Sequence, residues 1–281
     1  MADETCITRG PAELRSLYSS LIEEHRQWLS CFKPEYRKKW DDHFNSDDQT
    51  EAAIGEAWVC KLLRGEATSV EPADEPGIGG PDFIADVSGS KFYVEVTNIG
   101  IETMTGRTKF YDIQIIGGVY CSPLKLIQNK VIEKQKVASR VKDFPTVVAI
   151  TTFHFSASYH FDRQLCQDVL ISPESYVIPL PTETETFEGS IQTNLRLSAF
   201  MKLTNDASNP IEGLRPSISA LLLCGVGVVS PNDDLKQIPR TVWGIINPYS
   251  TIAFNRKLLH RIPFLQVANT AAEGQIKVET M

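Results

Sequence analysis

The sequence predicts an α/β protein with a mixed central sheet flanked by helices, and three observations carry that expectation. Two helical patterns, residues 11–32 and 49–64, come before anything that reads as a strand. Two short alternating runs, 82–87 and 91–97, then read as a paired hairpin. A third helical pattern, 123–142, leads into a nearly all-apolar run, 145–153 (PTVVAITTF), of the kind buried on both faces of a sheet. Helices placed between strands in this way belong to layered α/β architectures.

The elements follow in order. In residues 11–32, Leu14, Leu17, Leu21, Trp28 and Leu29 recur at helical spacing. The charged passage 33–49 reads as a connection anchored by aromatic residues. The helix at 49–64 starts with a capping-box pattern, Asp48 followed by Glu51, and stops at Gly65. A turn-rich approach (EPADEPGIGGPDF) precedes the hairpin strands, which Ser88-Gly89-Ser90 separates. Residues 98–121 read as a loop, and Ser122-Pro123 opens the next helix with proline at its favoured first position. Residues 159–170 form another helical pattern, and 217–229 and 240–247 read as two further strands. The expected organisation is a helical segment at 1–48 and a main domain at 49–270. An insertion of hairpin and short helix falls at 172–216, and a frayed polar tail at 271–281. Within the insertion, 181–189 (PTETETFEG) reads as a solvated loop.

Composition bounds the function. With 42% hydrophobic and 22% charged residues the chain is ordinary globular material, which excludes wholesale disorder. A formal net charge of −7 argues against a general basic coat for nucleic acid. It leaves room for a local basic groove or for a carboxylate cluster that takes a cation. Six scattered cysteines without a CxxC pair exclude a Cys-rich zinc module and predict free thiols in a reducing compartment. The N-terminus has no apolar signal region, and the longest apolar run, 218–229, is about half of the roughly 20 residues a membrane span needs. The expectation is a soluble, cytoplasmic chain with no membrane partner.

The hairpin carries the chemistry. Phe83, Ala85 and Val87 alternate with Asp82, Ile84 and Asp86; Phe92, Val94 and Val96 alternate with Lys91, Tyr93, Glu95 and Thr97. A turn at Ser88-Gly89 pairs Val87 with Ser90 and therefore Asp82 with Glu95, and the same register puts both apolar sets on one face. Two carboxylates are then held opposite each other with Thr97 alongside, an arrangement that destabilises a hairpin unless a cation lies between them. Hard carboxylate oxygens with a backbone carbonyl suit Mg²⁺. The competing reading is an outer face whose acids simply meet water.

Two helices bear on the same place. Glu56 interrupts the apolar stripe Ala52, Val59 and Leu63, so it needs a partner or a metal. Lys61 or Arg64 on the same helix is the ordinary alternative. In 123–142 the stripe is Leu124, Ile127, Val131, Ala138 and Val141, with Gln135 in the seam and Lys130 and Lys134 beside it. That pattern fits a helix lining a phosphate site, or a surface helix whose lysines snorkel. No phosphate loop, HExxH zinc pair or GxSxG elbow is present.

Gly79-Gly80-Pro81-Asp82, followed by Glu95-Val96-Thr97 on the next strand, resembles the PD-(D/E)xK nuclease superfamily. The order of elements across 49–153, about a third of the chain, is similar as well. The resemblance implies a restriction-endonuclease-like fold and metal-dependent hydrolysis of phosphodiester bonds in nucleic acid, DNA favoured over RNA, compatible with a homodimer. It implies that Asp82, Glu95 and the Val96 carbonyl hold Mg²⁺ or Mn²⁺, and that Glu56 helps to organise the metal and its water. The chain departs from the pattern at Thr97, where the family has lysine. Either Lys130 or, next, Lys134 supplies the missing ammonium with Gln135 in support, or the chain has lost its chemistry and binds nucleic acid or a protein partner.

Overall fold

The computed structural model describes residues 10–74, 79–108, 122–154, 161–173, 175–177, 190–192, 195–204, 211–226, 241–268 and 277–280. Its first four helices are α1 (Pro11–Leu17), α2 (Ser19–Leu29), α3 (Pro34–Asn45) and α4 (Thr50–Arg64). Strands β1 (Ser69–Pro72), β2 (Phe83–Val87) and β3 (Ser90–Asn98) follow, then α5 (Ile101–Thr108), α6 (Leu124–Ala138), β4 (Thr146–Thr152) and α7 (Arg163–Ile171). Two small hairpins come next, β5 (Ser175–Val177) with β6 (Ser190–Gln192) and β7 (Met201–Leu203) with β8 (Ile211–Gly213). The chain then adds β9 (Ala220–Gly225), β10 (Thr241–Ile246), β11 (Phe264–Ala268) and β12 (Lys277–Thr280).

Eight of these strands form one mixed sheet in the order β1-β2-β3-β4-β9-β10-β11-β12. Strands β3, β4 and β9 run parallel to one another, as do β10 and β11, while the remaining neighbours are antiparallel. Strand β4 is buried at every position because helices cover both faces of the sheet. On one face Phe83, Ala85, Phe92, Val94, Val147 and Ala149 pack with α1 to α4. On the other, Val148, Ile150, Leu221 and Leu223 pack with α6 and α7. The expected α/β class and mixed central sheet are therefore observed.

Several elements depart from expectation, each for a local reason. Residues 34–45 are a helix rather than a connection: Pro34 sits at its first turn, and Tyr36, Trp40 and Phe44 recur every four residues, with Trp40 and Phe44 buried. The first helical pattern is broken at Tyr18, and the second lacks the capping box. Instead the Glu51 carboxylate accepts a hydrogen bond from the Ile101 amide at 3.0 Å, at the start of α5. Gly65 is in helical conformation (φ −76°), so α4 does not end in a left-handed turn. α6 stops at Ala138, short of 142. The expected frayed tail at 271–281 contains a strand, β12, which pairs with β11 and extends the sheet. The loop at 181–189 lies outside the described residues, and within 172–216 two hairpins are described and no helix. Among the described residues no helix is long and apolar enough to cross a membrane.

Candidate functional site

The hairpin is set by its turn. Ser88 and Gly89 both take positive φ (52° and 86°), as a two-residue hairpin turn of matching twist requires, and the Gly89 amide donates to Asp86 Oδ1 at 2.7 Å. The ladder runs from Val87 opposite Ser90 to Phe83 opposite Val94, so Asp82 stands one step beyond it, against Glu95. The Asp82 side chain continues the pairing: its Oδ2 accepts a hydrogen bond from the Val96 amide at 2.6 Å. The Val96 carbonyl shares that edge of the strand with its amide.

Burying Phe92, Val94 and Val96 against α1 to α4 turns Glu95 and Thr97 to the opposite face, toward α6. Glu95 is only 4% exposed. Lys134 of α6 reaches it, donating from Nζ to Oε1 at 2.7 Å, while Oε2 is buried with no hydrogen-bond partner. Lys130 is elsewhere, in an exposed pair with Glu133 at 3.4 Å. Gln135 is half-buried, and the glutamine in the apolar seam is Gln128, which donates to the Arg196 carbonyl at 3.3 Å. Thr97 is buried, and its carbonyl accepts from Thr151 Oγ1 at 3.3 Å.

The other side of the site comes from α3, α4 and the approach to β2. A cleft of about 70 Å³ is lined by Lys39, His43, Glu56, Asp74 and Asp82 among others. Glu56 is brought there by a close approach of α4 to the sheet at Gly55, where a Cβ would stand 2.4 Å from Thr151 Oγ1. Its expected helical partners are engaged with another residue, Lys61 and Arg64 both bonding Glu24. Lys39 forms an ion pair with Asp74. Sequence reasoning missed both of these residues, although the four-residue aromatic spacing around Lys39 marks its helix.

Four carboxylates and two lysines thus share one region, and full ionisation leaves two negative charges uncompensated. The titration behaviour reflects this excess. Burial raises the Glu56 carboxyl well above its ordinary range, and Asp82 adds to it. Burial also pushes Asp82 up to about 6, with Asp74 adding and the Val96 amide, Lys134 and Lys39 opposing. Glu95 is pushed up to about 8 by burial and by the Asp82 charge, against the pull of Lys134. Burial would lower both lysines, yet their carboxylate neighbours outweigh it and hold each above the usual value.

The donors suit a hard cation. They are all oxygens, and Glu95 Oε2 is a buried acceptor left unsatisfied. Among the described residues no three carboxylate, histidine or cysteine side chains converge on a single point. Mg²⁺ in general binds through one or two carboxylates and fills its remaining positions with waters and substrate phosphate. The cleft holds a few waters, at ~10–15 Å³ apiece, rather than a whole nucleotide. Compared with protein-family models, curated proteins and solved structures, the chain matches none.

Proposed function

We propose that this protein is a metal-dependent hydrolase of phosphodiester bonds in nucleic acid, built on a restriction-endonuclease-like variant of its mixed-sheet α/β fold. The observation that carries the reading is the placement of Lys134. At the position where the resembling family has lysine this chain has Thr97, and an ammonium from the following helix stands 2.7 Å from Glu95 instead. DNA is preferred over RNA on the strength of that resemblance alone. Free thiols at Cys31, Cys60, Cys166 and Cys224 go with a reducing, cytoplasmic compartment.

In this reading Asp82, Glu95 and the Val96 carbonyl hold Mg²⁺ or Mn²⁺, and Glu56 stands behind them. When bound, the metal supplies Lewis-acid polarisation of a phosphate oxygen and acidification of water. The protein's own groups do the rest. The Val96 amide fixes the Asp82 carboxylate, leaving its second oxygen to turn toward the cation. Lys134 keeps Glu95 oriented and places positive charge where the attacking oxygen develops negative charge. Glu56, whose carboxyl burial raises well above its ordinary range, stands where it can accept or return a proton.

The second reading is a nuclease-fold module that binds nucleic acid or a protein and cleaves nothing, which Thr97 and the closed Lys134–Glu95 pair favour. A panel of single- and double-stranded DNA and RNA, incubated with Mn²⁺, separates the two. The proposal expects cleavage of at least one substrate by the wild type and none by Asp82→Asn. Binding without cleavage across the panel, by folded protein that takes up Mn²⁺, would establish the second reading.

A further inference from the structure

Lys39 is the one cation among the described residues that line the cleft. His43 lines it too, but burial and the neighbouring Lys39 lower its pKa, so the imidazole stays neutral at physiological pH. We infer that Lys39 is the residue that grips the substrate phosphate, exchanging Asp74 for it as the polymer settles over the cleft. The inference rests on the phosphodiesterase reading and assigns the substrate contact within it.

Depth and reach both support this division of labour. The Lys39 side chain is 39% exposed, against 21% for Lys134, whose partner Glu95 is nearly out of reach of solvent. A phosphate too large to enter the cleft meets Lys39 first. A partly exposed ion pair contributes little, so trading Asp74 for phosphate is inexpensive. Lys134 has no such freedom, since leaving Glu95 would take from a buried carboxyl the hydrogen bond to its Oε1 while its Oε2 already has none.

The scaffold under Lys39 is rigid while its stem is not. The next residue, Trp40, donates from Nε1 to the Ala53 carbonyl of α4 at 3.2 Å and stacks on Phe44 with ring centroids 5.2 Å apart. Arg26 ties α2 to Asp41 at 2.8 Å. The backbone at Lys39 is therefore fixed over the cleft, and the flexible four-carbon stem alone has to swing. Asp74, Asp82 and Glu56 keep the ammonium charged throughout.

The test uses the full chain and a fluorescein-labelled phosphorothioate DNA duplex in Mn²⁺, which reports binding without turnover. Lys39→Met keeps the stem and removes the charge. It is expected to weaken duplex binding by about ten- to a hundredfold, the loss of one charge-assisted hydrogen bond, and Lys39→Arg to recover most of it. Mn²⁺ affinity measured by calorimetry should not fall in either variant. Asp74→Asn, which frees Lys39, should bind the duplex at least as tightly as wild type and serves as the second probe if Lys39→Met does not fold. Unchanged duplex affinity in Lys39→Met overturns the inference, as does a parallel loss of Mn²⁺ affinity, or weaker binding by Asp74→Asn. If the wild type cleaves and Asp82→Asn does not, any of those results removes the Lys39 role alone. If the wild type neither binds the duplex nor cleaves any substrate, the phosphodiesterase reading falls and takes this inference with it.

Discussion

Lys134 with Glu95 and Lys39 with Asp74 are the same chemical pair held at two depths on opposite sides of one sheet. The first has side-chain exposures of 21% and 5%, the second of 39% and 16%. Depth changes what such a pair is for. A deep pair is costly to open because one partner is left charged in a poor dielectric. A shallower pair exchanges partners with water or ligand at little cost. On the proposed reading the inner pair fixes the site's geometry, and the outer one is the pair a substrate would open.

The largest effect expected from this contrast is at the inner pair. Lys134→Ala should lower unfolding stability most above pH 8, where Glu95 is ionised, by up to about 3–5 kcal/mol, the cost of stranding a buried charge, as read from urea unfolding. A change within about 0.5 kcal/mol, the range of an ordinary surface substitution, would make the two pairs equivalent. Gly55→Ala probes the outer side alone. Its new methyl meets Thr151 Oγ1 and pushes α4, with Glu56, away from the sheet, at about 1–3 kcal/mol for overpacking. The Lys134–Glu95 distance should survive that change in a crystal structure, and its loss would show that the two sides are not separable.

Protonation sharpens the contrast further. Folded Glu95 keeps its proton to about pH 8, whereas its ordinary value is 4.5. Between those values the folded state binds more protons than the unfolded, so its contribution to stability falls as pH rises. Glu95→Gln, which cannot titrate, should gain on the metal-free wild type steadily from pH 4.5 to 8 and no further above it. Parallel stability curves would mean that Glu95 ionises normally. The smallest effect belongs to the outer pair: Lys39→Ala should cost no more than about 1 kcal/mol, and a loss near that of Lys134→Ala would collapse the distinction.

What could be read in the sequence follows the same division. The inner side was largely legible. Alternation of period two, closed by Ser88-Gly89, allows one register that buries Phe83, Ala85, Phe92 and Val94 together, and that register puts Asp82 against Glu95. Helix phase is why Lys134 reaches Glu95 and Lys130 does not. With Gln135 taken as the seam, both lysines flank the stripe. The buried positions are Leu124, Ile127, Gln128, Val131 and Ala138, and Lys134 falls on their line while Lys130 does not.

The outer side was hidden for a different reason. Lys39 sits among Arg37, Lys38, Asp41 and Asp42, where charge density masks a helical stripe of only three aromatics. Asp74 follows β1, a four-residue edge strand whose one buried residue, Val70, leaves no periodicity to detect. Strand β12 is equally short, and its place depends on pairing with β11 rather than on any pattern of its own. Contacts between distant, short, polar segments are made by tertiary structure, and no local rule announces them.

The most direct test of the central claim, that excess carboxylate charge at the hairpin awaits a cation, is calorimetric titration of the metal-free protein with Mn²⁺ at pH 7. The wild type should bind Mn²⁺ with release of protons, because Glu95 and Glu56 hold theirs above the ordinary range until the metal arrives. Asp82→Asn should lose that binding while unfolding as cooperatively as wild type. Undiminished Mn²⁺ binding in Asp82→Asn, or no binding by the wild type, would contradict the account.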